Sequence, residues 1–308
     1  RVENFIQKLN SFGYSNDTIQ VDRNYLNVLP SVNFTYALTE KTNLRASAFQ
    51  SVSRPEFREL APFSFYDFNT STSIQGNEEL SLTKINNFDL RFENYPTVGE
   101  IYSVSFFYKK FIDPIEQIVE SSGAGSRSVT YTNALGATNV GVEAEVRRKL
   151  DFMDGMLSWK YWSKFTIYGN VALIKSTVDK SNDLRATEDR PMQGQSPYII
   201  NGGLMFNDAL SGFGFNVVYN RIGRRIFQVG NEGYLSIYEA PRNLLDLQLS
   251  KTFMKVGEVK FTIGDIFNNA SVFYQDQNDN GKYEAGSDSR IASITSGTNY
   301  SLSFSYKF

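Results

Sequence analysis

The chain closes on TNYSLSFSYKF, Thr298 to Phe308, and this stretch decides the fold. Tyr300, Leu302, Phe304, Tyr306 and Phe308 alternate with Ser301, Ser303, Ser305 and Lys307. Successive side chains of a strand point to opposite faces, so one face here is apolar and the other polar. A soluble sheet needs a second packed layer over such a face, whereas a strand in a membrane barrel needs only lipid.

The alternation recurs along the whole chain. SVNFTYAL (Ser31–Leu38) sets Val32, Phe34, Tyr36 and Leu38 against Asn33, Thr35 and Ala37. NNFDLRFEN (Asn86–Asn94) sets Phe88, Leu90 and Phe92 against Asp89, Arg91 and Glu93, and IYSVSFFYKK (Ile101–Lys110) sets Tyr102, Val104, Phe106 and Tyr108 against Ser103, Ser105 and Lys109. NVGVEAEVRRK (Asn139–Lys149) opposes its valines to Glu143, Glu145 and Arg147; LLDLQLSKTF (Leu244–Phe253) opposes Leu245, Leu247 and Leu249 to Asp246, Gln248 and Ser250. About twelve such segments follow one another, each near the ~9–11 residues that cross a bilayer as a tilted strand. No apolar run is long enough for a membrane-spanning helix.

Composition narrows the chemistry. The 308 residues carry a net charge of -2, which gives no basic footprint for nucleic acid. There is no cysteine and no histidine, which removes disulfides, thiolate metal sites, Ser-His-Asp hydrolysis and imidazole acid–base catalysis. Aromatic residues reach 15% while mean hydropathy is -0.34, as expected of strands divided between two environments. Arg1 is not an initiator Met and no signal peptide precedes it, so the chain is read as a processed product or a fragment.

Connection lengths alternate as well. Leu38–Lys41, Pro96–Glu100, Asp208–Gly212 and Lys255–Glu258 are predicted tight turns, and the longer links Arg54–Thr83, Asp113–Ser128, Asp179–Ser196, Gln228–Ala240 and Asn269–Thr298 are predicted polar loops. Outer-membrane barrels keep short turns on the periplasmic side and long loops outside. Prolines 30, 197 and 241 open segments and prolines 55 and 114 close them, so none interrupts a ladder. One inner turn is longer, DFMDGMLSWKYWSKF (Asp151–Phe165); its Trp159, Tyr161 and Trp162 are rings of the kind that gather at a membrane–water interface. The predicted fold is all-β, a transmembrane antiparallel β-barrel. The competing architecture is a soluble antiparallel sandwich or propeller.

Particular stretches add a resemblance. LRASAFQSVSRPEFRELAPFSFYDF (Leu44–Phe68), NNFDLRFENYP, SFFYKKFIDPIEQ (Ser105–Gln117), GVEAEVRRKL (Gly141–Leu150), YNRIGRRIFQVG (Tyr219–Gly230) and PRNLLDLQLSKTF (Pro241–Phe253), with the terminal strand, resemble the barrel of TonB-dependent outer-membrane receptors of the Bacteroidetes-like branch. The resemblance implies a 22-stranded barrel with a plugged lumen, located in the bacterial outer membrane and driven by the TonB complex in uptake of a siderophore, cobalamin, glycan or peptide. Residues 1–308 then form the C-terminal part of the barrel domain, without plug or TonB box. The partners implied are the missing N-terminal barrel half and plug, TonB, the outer-membrane barrel assembly machinery, and lipid with lipopolysaccharide. Phe308, with Tyr306 and Phe304, resembles the terminal assembly signal. The alternative is a passive porin-like barrel. Neither reading is enzymatic.

Four local constellations remain. Paired carboxylates such as Glu143 and Glu145 are expected to be lumen-facing charges rather than a glycosidase pair, because a charge on the lipid face costs roughly 2–4 kcal/mol at mid-membrane. Arg221, Arg224 and Arg225 lie near an outer strand end, where Arg221 and Arg225 are read either as lipid-facing partners of lipopolysaccharide phosphates or as a solvated strand end. Phe63, Phe65, Tyr66 and Phe68 form a ligand platform or pack within their loop. Asp276, Asn278 and Asn280, followed by Gly281, match the first half of a calcium loop, but its twelfth position is Ser287; an Asx-rich turn meets the same spacing without metal. No other cofactor is expected.

Overall fold

The computed structural model describes residues 1–12, 18–121, 127–157, 159, 161–179, 190–231, 233–254 and 256–307. In chain order the elements are β1 (Val2–Phe12), β2 (Thr18–Val28), β3 (Ser31–Thr39), β4 (Thr42–Ser53), helix α1 (Phe57–Leu60), β5 (Ser64–Asp67), β6 (Thr72–Gln75), β7 (Thr83–Asn94), β8 (Ile101–Ile112), β9 (Ile115–Ser121) and β10 (Arg127–Asn133). There follow β11 (Gly136–Lys149), two single 3₁₀ turns, β12 (Phe165–Val178), β13 (Tyr198–Asp208), β14 (Phe213–Ile222), β15 (Arg225–Gln228), β16 (Ile237–Glu239), β17 (Arg242–Phe253), β18 (Gly257–Gly264), β19 (Ser271–Gln275), β20 (Ser289–Ile294) and β21 (Asn299–Tyr306).

Eleven of these strands make one antiparallel sheet in the order β21-β18-β17-β14-β13-β12-β11-β8-β7-β4-β3. Each pairs with the next wall strand along the chain, so the sheet is an up-and-down meander whose edges are β3 and β21. The wall thus holds eleven strands where about twelve were expected; β1 and β2 pair only with each other, as a separate hairpin. β2 runs through Leu29 and Pro30 into β3, and Arg1 and Leu29 exchange backbone hydrogen bonds at the outer end of the wall. Proline at position 30 supplies no amide, which is why the ladder breaks there.

Register carries the two faces across the whole wall. Phe34, Ala46, Leu90, Phe106, Val142 and Leu173 lie side by side on one face, and Val217, Leu247, Ile263 and Tyr300 share it further along. Their neighbours Phe88, Phe92, Val104, Leu302 and Phe304 are all exposed. A soluble protein does not leave an apolar face of this extent uncovered. The opposite face carries Arg45, Asp89, Arg91, Ser105, Glu143 and Glu145.

Four of the five long outer links depart from the sequence reading. They are not simple polar loops: their described segments fold into two four-stranded sheets, β5-β6-β10-β9 and β15-β16-β19-β20. The sheets meet at a parallel bridge between Ile118 and Val229, where Val119 donates to the Val229 carbonyl and Val229 to the Gln117 carbonyl. Leu60, Leu80, Val119, Val129, Ile237 and Phe273 bury against one another between them. A wall one sheet thick has little interior, so the apolar core of this chain sits in this cap, above the barrel wall.

Candidate functional site

The inner face of the wall is built from a ladder of charges. Glu93 is buried and accepts from Arg45 Nε at 2.8 Å and from Arg91 Nε at 2.9 Å. Arg91 reaches across β8 to Glu145 at 2.8 Å and touches Ser105 at 3.3 Å. Tyr95 hydroxyl donates to Glu93 at 3.1 Å. Alternation alone puts these residues on the inner side; the antiparallel register then brings charges from three strands, with Ser105 of a fourth, into one network. Of the paired carboxylates, Glu145 is held by Arg91, and the ladder gives this face of the wall a fixed polarity.

Above the ladder the inner face becomes more apolar. A cavity of about 660 Å³ runs from Arg45, Asp89 and Arg91 up to Phe107, Lys109, Phe111, Met192 and Ile199. Phe107 was passed over in the sequence because Phe106 and Tyr108 carried the alternation on either side of it. Its parity with Ser105 and Lys109 turns it inward, and the register sets it over Gly141, where an added Cβ would meet the Phe107 ring at 2.5 Å.

The cap is held over this face by buried polar clamps. Glu116, 2% exposed, binds Arg190 at 2.7 and 3.0 Å and accepts the Gln193 amide at 2.8 Å. Gln193 in turn bonds the Gln117 amide and the Phe227 carbonyl, joining three outer links through one side chain. Arg127 donates to the Thr70 carbonyl and to Thr72 Oγ1 at 3.1 Å. Arg23 of β2 donates to the Leu80 and Glu78 carbonyls. Burial pushes the Tyr238 phenol up and the Tyr274 phenol up to about 12.

The residues singled out from sequence fall in different places. Arg221 lies on the outward face of β14, where Nε donates to Tyr198 hydroxyl at 3.2 Å and Nη1 to Asn243 at 2.8 Å. Arg225 is not on the wall. It belongs to β15 in the cap, where Glu239 holds it at 2.6 Å. Arg224 is no solvated strand end either: it lies 3.5 Å from the centre of the Tyr238 ring and 2.8 Å from the buried carboxylate of Asp276. Asp276 also accepts the Asn280 amide at 3.2 Å and the Gly281 amide at 2.9 Å, and Asn278 Oδ1 accepts the Asn280 amide at 3.3 Å. Arginine thus sits at the carboxylate where a cation would bring its charge, and the Asx side chains close turns on their own backbone. Among the described residues no group of three acidic side chains is gathered as a metal site.

In the aromatic outer segment only Phe65 packs against the cap core; Phe63, Tyr66 and Phe68 are exposed. Phe304 and Tyr306 point outward from β21, with Phe304 stacked on Phe253 at 6.1 Å. Phe308 lies outside the described residues. The long-range clamps had no local signature: Glu116 and Arg190 are 74 residues apart.

A one-sheet wall with an apolar outward face, a charged inward face and a cap of folded outer links is the architecture of an outer-membrane β-barrel. The chain belongs to the outer membrane protein β-barrel family, whose match spans residues 1–306, and its place is the bacterial outer membrane. No curated protein matches it in sequence. Among solved structures it is similar to the ferric enterobactin receptor of Pseudomonas aeruginosa (TM-score 0.59, 16% identity, 94% of this chain and 42% of that one). A copper transporter is similar with TM-score 0.64 and 14% identity, over 98% of this chain and 43% of that one. The ferric yersiniabactin uptake receptor of Yersinia pestis follows with TM-score 0.60 and 14% identity, over 98% and 40%. The chain therefore spans less than half the length of the structures it matches.

Proposed function

We propose that this chain is the C-terminal part of the barrel of an energised outer-membrane receptor that takes up a scarce, bulky nutrient. The observation that carries the reading is the cap. Segments of four long outer links fold together into a structured mouth, which Arg190 and Gln193 of the fifth also bond, above a charged and partly aromatic inner wall, while four of the five inner turns stay short. A passive pore needs no such mouth, whereas selective capture from dilute solution requires a preorganised surface. The similar structures are receptors and transporters rather than enzymes, which supports a role without catalysis.

On this reading the rest of the barrel completes the wall between β3 and β21, a plug fills the lumen, and TonB supplies the work of opening. The terminal strand directs assembly by the barrel assembly machinery. Cargo is a siderophore, cobalamin, glycan or peptide. Arg221, left on the outward face, is the residue for a lipopolysaccharide phosphate. The test is accumulation of labelled cargoes from these classes by cells carrying the full-length gene, with and without collapse of the inner-membrane proton gradient. Uptake that stops on collapse supports the receptor; uptake that continues unchanged assigns a passive porin.

A further inference from the structure

Four inner turns are short, but the one between β11 and β12 holds two 3₁₀ turns, Asp151–Met153 and Trp162–Lys164. It does not hang beneath the lumen. At one end Phe152 lies under Arg148, whose guanidinium is 4.5 Å from the ring centre. Arg148 belongs to the outward face of β11, opposite Ile167, and donates to the hydroxyl of the outward-facing Tyr102 at 2.7 Å. At the other end Trp159 and Trp162 pack on Phe165 with ring centres 5.7 and 6.0 Å apart. Phe165 continues the same outward row through Phe206, at 4.9 Å, to Phe215. Both ends therefore fold the turn onto the lipid-facing side of the wall.

Most of the described apolar side chains of the turn are uncovered. Phe152, Met156, Leu157, Trp159 and Tyr161 are 46 to 78% exposed. They extend the lipid face at the inner end of the wall, where amphipathic rings of this kind meet headgroups. Its charges are arranged unevenly. Asp154 accepts the Trp162 amide, and Lys164 is paired with Asp208 at 2.8 Å. Among the described residues the bonded acceptor of Arg148 is a neutral phenol, and the nearby carboxylates of Glu100 and Asp151 act on it without a hydrogen bond. A guanidinium at a lipid-facing rim with no carboxylate bonded to it matches a phosphodiester.

We propose that the turn is an interfacial anchor lying on the inner leaflet, with the phosphodiester of a phospholipid headgroup held at Arg148. The proposal rests on the membrane placement of the wall and is independent of the cargo or of energised uptake. The full-length protein is reconstituted in phosphatidylethanolamine–phosphatidylglycerol vesicles with a nitroxide at Leu157→Cys or, as reference, at Glu40→Cys in a short inner turn. The label at position 157 is expected to collide more with oxygen and less with a water-soluble nickel chelate than the label at 40. Equal nickel accessibility at the two positions overturns the anchor. Native mass spectrometry of the detergent-purified protein then counts retained phospholipid. Arg148→Gln is expected to retain fewer molecules than the parent, with Arg148→Lys between them; equal retention in all three overturns the headgroup site while the nitroxide result still decides the anchor.

Discussion

Arg224 and Asp276 form an ion pair 2.8 Å across inside the cap, the carboxylate only 2% exposed. The arginine leaves the end of β14 and the aspartate follows β19, so one contact ties two outer links together. It also explains how an Asx-rich segment holds its shape: the positive charge comes from the chain.

Removing one partner of a buried pair typically costs about 3–5 kcal/mol, because the other charge stays buried. Arg224→Ala is therefore expected to open the cap around residues 274–281 while leaving the wall intact. Hydrogen exchange should show faster exchange there and unchanged protection in β17. Calcium titration of the parent protein, followed by calorimetry against a chelated control, is expected to give no excess heat.

Glu116 makes a second test of the cap as one unit. Glu116→Ala strands Arg190 and frees Gln193, which also bonds Gln117 and Phe227. The expected result is simultaneous loss of protection in β9 and β15. Loss confined to β9 would show that the outer links order independently.

Within the wall, burial ranks the ladder's carboxylates. The Glu93 side chain is 7% exposed and binds two arginines, whereas that of Glu145 is 42% exposed. Glu93→Ala should cost several times more than Glu145→Ala, for which about 1 kcal/mol or less is the measure of an exposed pair. Urea unfolding in detergent, at matched salt, compares them directly.

Gly203 faces Tyr168, and an added Cβ would stand 2.2 Å from the ring. Gly203→Ala must push the ring away and break the Tyr168–Asn216 hydrogen bond of 2.8 Å. Overpacking of this kind costs about 1–3 kcal/mol. The companion Gly202→Ala meets open space on the other face and should leave the unfolding midpoint nearly unchanged.

The Tyr274 phenol gives a pH test. Burial raises its pKa from 10.0 to about 12, so the folded cap favours the neutral form. The unfolded chain loses the proton first, so the folded state binds more protons between these values and cap stability falls as pH rises through them. Below pH 10 the contribution is fully present. Cap protection measured against pH should decline over that interval, and Tyr274→Phe should flatten the decline.

The period of two is a property of the extended backbone itself, so the sequence alone determined which residues of TNYSLSFSYKF, SVNFTYAL and NNFDLRFEN share a face, where the short turns fall, and that a lipid-facing wall results. That information is local. Phe107 shares its parity with Ser105 and Lys109, so alternation already assigns it to the inner face; only the register set it over Gly141. The co-folded outer links, the Arg224 and Glu116 clamps and the outward fold of the Trp159 turn depend on contacts between residues many tens of positions apart. Such contacts exist only once the wall has brought the strand ends together, so tertiary structure decided them. Alternation sorts side chains between two sides of a sheet; it carries no record of which distant segment will meet them there.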